Sequence, residues 1–171
     1  MKRIKKRLAA ITLMAIVTMC ANAQSKIYNN STEGVSFIYP NAFKKVAILN
    51  ARHMLLELEK GNVTISLSKW NYGIDDSYSI WDEEIVEIVR ENLLRTGASL
   101  VSLDKRHLVT KSGKKKSLVI ISNAPNVNLH LVTYQFLHKG NLFQIVVSNK
   151  GTFDKMKLPI YDSYVGGLTL K

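Results

Sequence analysis

Cysteine is nearly absent. The only one, Cys20, falls early in a chain of 171 residues. A product that begins after it has no thiol, which removes disulfides, cysteine-zinc sites and thiol catalysis together. Proline is confined to Pro40, Pro125 and Pro159, and the nine glycines are scattered, so no linker divides the chain. No segment is repetitive or of low complexity. The longest apolar run, residues 8–19, is about a dozen residues, whereas a membrane-crossing helix needs about 20. Catalytic signatures are also missing. There is no Gly-x-Ser-x-Gly and no calcium-loop spacing among Asp75, Asp76, Asp82, Glu83 and Glu84. Gly166-Gly167 follows an expected helix rather than opening one, so it is no phosphate loop. The four histidines, His53, His107, His130 and His138, form no His-x-His, Glu-x-x-His or i,i+4 pair. His130 and His138 lie roughly 26 Å apart along an extended strand. They read as surface or rim residues.

What is present begins with charge. Lys2, Arg3, Lys5, Lys6 and Arg7 precede the apolar run, and Ala21-Asn22-Ala23 follows it. A basic start, a short apolar run and a small-x-small site define a cleavable secretory signal. Cleavage is expected between Ala23 and Gln24. An uncleaved anchor stays open, and so does a lipoprotein bearing lipid on Cys20, although Met19 is large for that motif. The leader holds five of the 24 cations and no acid. Removing its 23 residues leaves 148, with 19 cations against 13 acids, so +11 becomes +6. That suits anionic lipid or polysaccharide surfaces and gives little ground for nucleic acid. Periplasm or secretion is the expected destination.

Residues 24–33 are polar and expected as a flexible lead before one domain over 34–171. Val35–Tyr39 alternates as a strand stopped by Pro40. A second strand is expected near 46–49. Met54–Glu59 and Val63–Lys69 form a hairpin through Lys60-Gly61-Asn62. The period then changes to that of a helix over about 77–96, with Trp81, Ile85, Ile88, Val89 and Leu93 inward. Asp75, Asp76, Ser77 and Ser79 are its cap candidates, and acids early and cations late suit its dipole. Residues 100–110 and 117–122 read as strands joined by a basic turn. Residues 129–138 and 142–148 form a hairpin apolar on both faces, hence central. A terminal helix from Pro159 carries Ile160, Tyr161, Tyr164, Val165 and Leu168. Hairpins, helix, hairpins and helix make an α+β fold, an antiparallel sheet flanked by helices.

The strand Val35, Phe37, Tyr39, Pro40, the late hairpin Tyr134-Gln-Phe136…Gly140-x-x-Phe143-Gln-Ile-Val-Val147, then Phe153 and a short helix with Ser163 and Leu168, carry a resemblance. Over most of residues 34–170 the chain resembles the PsbP-like superfamily, the extrinsic photosystem II protein and its small exported bacterial relatives. The resemblance implies an α-β-α sandwich, no enzyme activity and a role as a binding or accessory module. It transfers no photosynthetic role and no metal site.

Two surfaces are candidates for binding. The aromatic group Trp70, Tyr72, Tyr78 and Trp81 lies where a strand hands over to the main helix, and Trp and Tyr are enriched in binding hot spots. Tyr72 and Tyr78 are expected exposed and Trp81 packed. The basic tip Lys111, Lys114, Lys115 and Lys116 is a candidate anion contact. The expectation is therefore a non-enzymatic envelope protein that needs no cofactor and binds a partner protein or an amphipathic ligand. The alternatives are an envelope hydrolase with a dispersed active site, or a lipoprotein held through Cys20.

Overall fold

The computed structural model describes residues 24–48, 52–75, 77–151 and 153–171. The expected leader, with Cys20 and Ala23, lies outside them, as do Leu49 and the cap candidate Asp76. Among the described residues no helix is long and apolar enough to cross a membrane.

Among the described residues ten strands form two antiparallel sheets. The larger runs in the order β3-β4-β5-β9-β8-β7-β6. Its strands are β3 (Lys44–Lys45), β4 (Met54–Lys60), β5 (Val63–Asn71), β6 (Ser99–Thr110), β7 (Gly113–Ala124), β8 (Leu129–His138) and β9 (Asn141–Lys150). The smaller runs β1-β2-β10, from β1 (Ser25–Asn30), β2 (Val35–Pro40) and β10 (Leu168–Leu170). Helix α1 (Glu83–Arg95) covers one face of the large sheet. Helix α2 (Leu158–Val165) and the small sheet cover the other. The protein is thus three-layered, but one outer layer is a sheet with a helix beside it. The expected sandwich of one sheet between helices is correct for α1 and only partly so opposite.

Alternation in β4, β5, β8 and β9 divides the core. Leu56, Leu58, Ile65, Leu67, Val132, Tyr134, Phe136, Phe143, Ile145 and Val147 face the small sheet, meeting Val35, Phe37, Leu168, Tyr161 and Val165. The opposite parity of β7 and β9 gives Leu118, Ile120 and Leu142 to α1, which buries Ile85, Val86 and Val89. The hairpin of β8 and β9 is central as expected. It turns through Lys139 (φ 49°) and Gly140 (φ 68°), the two positive φ values of a type I′ turn.

Four expectations change. Residues 24–33 are not a loose lead: Ser25–Asn30 pairs residue by residue with β2, because β2 has left the large sheet and needs backbone partners. Residues 46–48, the described part of the strand expected near 46–49, are not a strand: the two-residue β3 precedes them, and the Val46 N–H reaches back to the Glu57 carbonyl at 2.9 Å. Helix α1 starts at Glu83, six residues later than expected, and its N-cap is Asp82. Its inward face holds Val86, while Ile88 is 43% exposed. Leu168 is not helical. Gly166-Gly167 ends α2 and turns the chain into β10, where Leu168 pairs with Phe37. Gly167 is required there, since a Cβ on it would stand 1.9 Å from the Ile38 carbonyl oxygen.

Candidate functional site

Seven strands about 4.8 Å apart span roughly 29 Å, and one helix about 10 Å across covers only part of that width. Helix α1 packs over β7, reaching Leu103 on one side and Leu137 and Trp70 on the other. Between its last turns and β5, β9 and β8 a cavity of about 280 Å³ remains. Val89, Leu93, Ile120 and Leu142 form its apolar wall, and Trp70 and Tyr72 an aromatic one. Thr133, Gln135 and Gln144 supply its polar floor, with Asn92 and Thr96 from α1 beside them. Among the described residues no aspartate, glutamate, lysine, arginine or histidine lines it.

The floor is a row across three strands. Ser68 stands opposite Gln144, and Gln144 opposite Gln135. Ser68, Thr133 and Gln135 are all buried. The Trp70 indole N–H donates to the Ser68 hydroxyl at 3.2 Å. The buried Oε1 of Gln135 has no hydrogen-bond partner among the described residues. The aromatic wall is a stack: His53 lies 4.0 Å from Trp70, and Tyr72 6.2 Å from it, with rings near parallel. Tyr72 is 44% exposed, yet burial of its remainder pushes its phenol above the usual tyrosine range.

Of the aromatic group expected from the sequence, the structure therefore brings Trp70 and Tyr72 to one cavity. Tyr78 is exposed and does not line it. Trp81 lies on the far side of α1, where its indole N–H donates to the Ser117 carbonyl at 3.0 Å. Its ring packs edge-on to His107 and under the Lys116 ammonium, 5.1 Å away. Asp75 accepts from the Ser77 N–H at 2.8 Å; this bond holds its carboxyl below the ordinary aspartate range. It caps a turn rather than the helix.

The basic tip is divided. Lys114 and Lys116 point to one face of β7 and Lys115 to the other, opposite Leu108. Lys111 lines a second cavity of about 320 Å³, beside Tyr39, Ser163 and Gly167. Its N–H bonds the Leu168 carbonyl at 2.9 Å, so the turn is docked on β10.

The histidines are dispersed, but His130 is not on the surface. It is 1% exposed, with Nδ1 3.2 Å from the Gly151 carbonyl and Nε2 3.5 Å from the Tyr161 hydroxyl. Among the described residues no three His, Cys, Asp or Glu side chains converge as a metal site requires. A second polar cluster ties α2 to the large sheet. Arg106 pairs with Asp162 at 2.6 Å, and the buried Tyr134 hydroxyl donates to Asp162 at 2.9 Å. Burial first, and the Asp162 charge second, push the Tyr134 phenol well above its usual range.

Gln135 and Gln144 escaped the sequence reading as site residues. The signal was there: each interrupts an apolar run in a strand assigned to the core, and buried polar side chains need an explanation.

The chain is similar to cyanobacterial PsbP (CyanoP) from Synechocystis sp. PCC 6803, with a TM-score of 0.63, covering 87% of this chain and 94% of that one at 14% identity. The protein has a PsbP-like fold. A Pseudomonas aeruginosa protein of unknown function, described as a putative regulator, is also similar, with a TM-score of 0.51, 12% identity, and coverage of 86% and 98%. The sequence matches no family model and no curated protein. At these identities the likeness establishes the PsbP-like fold, and fold alone does not carry a role.

Proposed function

We propose that this PsbP-like protein is an exported, non-enzymatic accessory module that binds a small ligand in the cavity beneath α1. The observation that carries this reading is the Gln135 carboxamide in the floor of that cavity, whose Oε1 is buried without a partner among the described residues. Concave, mostly apolar sites with a few convergent polar groups are the usual form of ligand pockets. Among the described residues the lining holds no carboxylate, amine or imidazole, and its phenol, Tyr72, is pushed above the usual tyrosine range; this favours binding over catalysis, since general acid-base chemistry works best with a group that titrates near the operating pH. Export rests on residues 1–23, whose basic, apolar and Ala-Asn-Ala segments suit a cleaved leader.

Native mass spectrometry of the full gene product, expressed in a bacterium and purified from its envelope fraction, tests both parts. The expected species begins at Gln24 and carries a small molecule that a Trp70→Ala variant fails to retain. A chain recovered from the cytoplasm with its first residues intact would sink the export reading. A ligand retained equally by the variant would move the site elsewhere.

A further inference from the structure

An amide oxygen buried without a partner carries its full desolvation cost. Gln135 occupies the middle of a central strand, where an apolar side chain of the same shape removes that cost. Its carboxamide lines the cavity, so a hydrogen-bonding group that enters and reaches it offsets that cost. The carboxamide also swaps acceptor for donor by a half-turn, which suits a hydroxyl or an amide, each able to do either. Three further features limit what enters. Among the described residues the lining holds no charge, so an ionic group placed there loses its hydration without a counter-charge. The wall of Leu93, Ile120, Leu142 and Trp70 needs apolar surface from its occupant. The volume, about 280 Å³, lies just below the range of drug-sized ligand sites, which begins at about 300 Å³. It has room for one ring with its substituents.

Building on the binding reading above, we infer that the ligand is a neutral, single-ring molecule bearing a hydroxyl or amide group that hydrogen-bonds to Gln135. Its apolar body lies against α1 and β9. Such a ring has two chemical sources, a glycoside or an aromatic compound, and both present the same pairing of apolar body and hydrogen-bonding edge.

The test is a titration of the full chain with probes that vary one property at a time, read by intrinsic tryptophan fluorescence and by saturation transfer to the probe in NMR. Benzamide and benzyl alcohol are the neutral hydrogen-bonding probes. Benzoate and benzamidine are near-isosteric charged ones, and toluene lacks the polar group. Methyl N-acetylglucosaminide represents the sugar source. Benzamide is expected to bind at least about tenfold more tightly than benzoate or benzamidine, and about tenfold more tightly than toluene, the loss of one buried hydrogen bond. Gln135→Leu is expected to weaken benzamide about tenfold, leave toluene unchanged or improved, and melt no lower than the parent chain. Preference between benzamide and the glycoside assigns the source. Charged probes binding as well as benzamide, or Gln135→Leu leaving the order of affinities unchanged, overturns the ligand class while the cavity remains a binding site. No binding by any probe, while native mass spectrometry still finds a retained molecule, overturns the class alone. No binding and no retained molecule overturns both.

Discussion

Gly167 and Tyr134 show how single atoms hold this fold. A methyl group at residue 167 collides with the Ile38 backbone at 1.9 Å, and the Ile38 N–H bonds the Gly167 carbonyl at 3.0 Å. Neither partner is a side chain that can rotate away. Gly167→Ala is expected to cost about 3 kcal/mol, measured as a lower urea midpoint with an unchanged slope. Tyr134 is wholly buried and donates to Asp162. Its phenol is held neutral above the pH at which an unfolded tyrosine ionises, about 10. The sign follows from that difference. Stability linked to Tyr134 is fully present below about pH 10 and is lost as pH rises further, because only the unfolded state gives up the proton. Urea melts at pH 8 and 11 are expected to separate more for the parent chain than for Tyr134→Phe. At pH 8 that variant is expected to be less stable by roughly 2 kcal/mol, the loss of one hydrogen bond to a charged acceptor.

At the scale of elements, helix α1 has the composition of a surface helix, with Glu83 and Glu84 in its first turn and Arg95 in its last. Packing sets its rotation. Val86 is 3% exposed and Ile88 is 43% exposed, so the two give opposite results on truncation. Val86→Ala is expected to cost about 2 kcal/mol, and Ile88→Ala to stay within about 0.5 kcal/mol, both read from thermal or urea unfolding. Equal costs would mean that α1 is rotated from the orientation that opens the cavity. The loop before the helix belongs to this scale too. Its described residues hold turns through bonds of the Gly73 N–H to Asn71, the Ser77 N–H to Asp75 and the Ser79 N–H to Asp82. Side-chain acceptors of this kind compete with helix formation, which is why α1 begins at Glu83.

For the whole molecule, the large sheet is shared by both cores. Strand β8 gives Val132, Tyr134 and Phe136 to one side, and β9 gives Leu142 to the other. Loss of the sheet removes the surface on which each outer layer rests. A single unfolding transition is therefore expected, with tryptophan fluorescence, which reports Trp70 and Trp81 beside α1, coincident with far-ultraviolet circular dichroism. Separate midpoints would show that α1 detaches before the sheet unfolds, and would make the helix a lid over the cavity. The second outer layer depends on the last strand, because Leu168–Leu170 completes the small sheet and bonds both Lys111 and Ser112.

The sequence by itself determined the elements whose period and turns are local. The β4–β5 hairpin, the two-sided apolar pattern of β8 and β9, and the existence of α1 follow from alternation, Gly61, Lys139-Gly140 and a 3.6-residue repeat. The same pattern, with its Phe, Tyr and Pro positions, carried the resemblance to the PsbP-like fold. It also marked Trp70, Tyr72, Tyr78 and Trp81 as one candidate surface, of which Trp70 and Tyr72 share a cavity and Tyr78 and Trp81 do not line it. Tertiary structure alone decided the rest, because those features depend on residues far apart in the chain. Ser25–Asn30 and Leu168–Leu170 carry no strand period strong enough to read alone, and become strands because β2 supplies the hydrogen-bonding edge between them. Gln135, Gln144 and Thr133 read as polar interruptions in apolar strands. They became a cavity floor only when pairing set β5, β9 and β8 side by side and one narrow helix left part of their face uncovered.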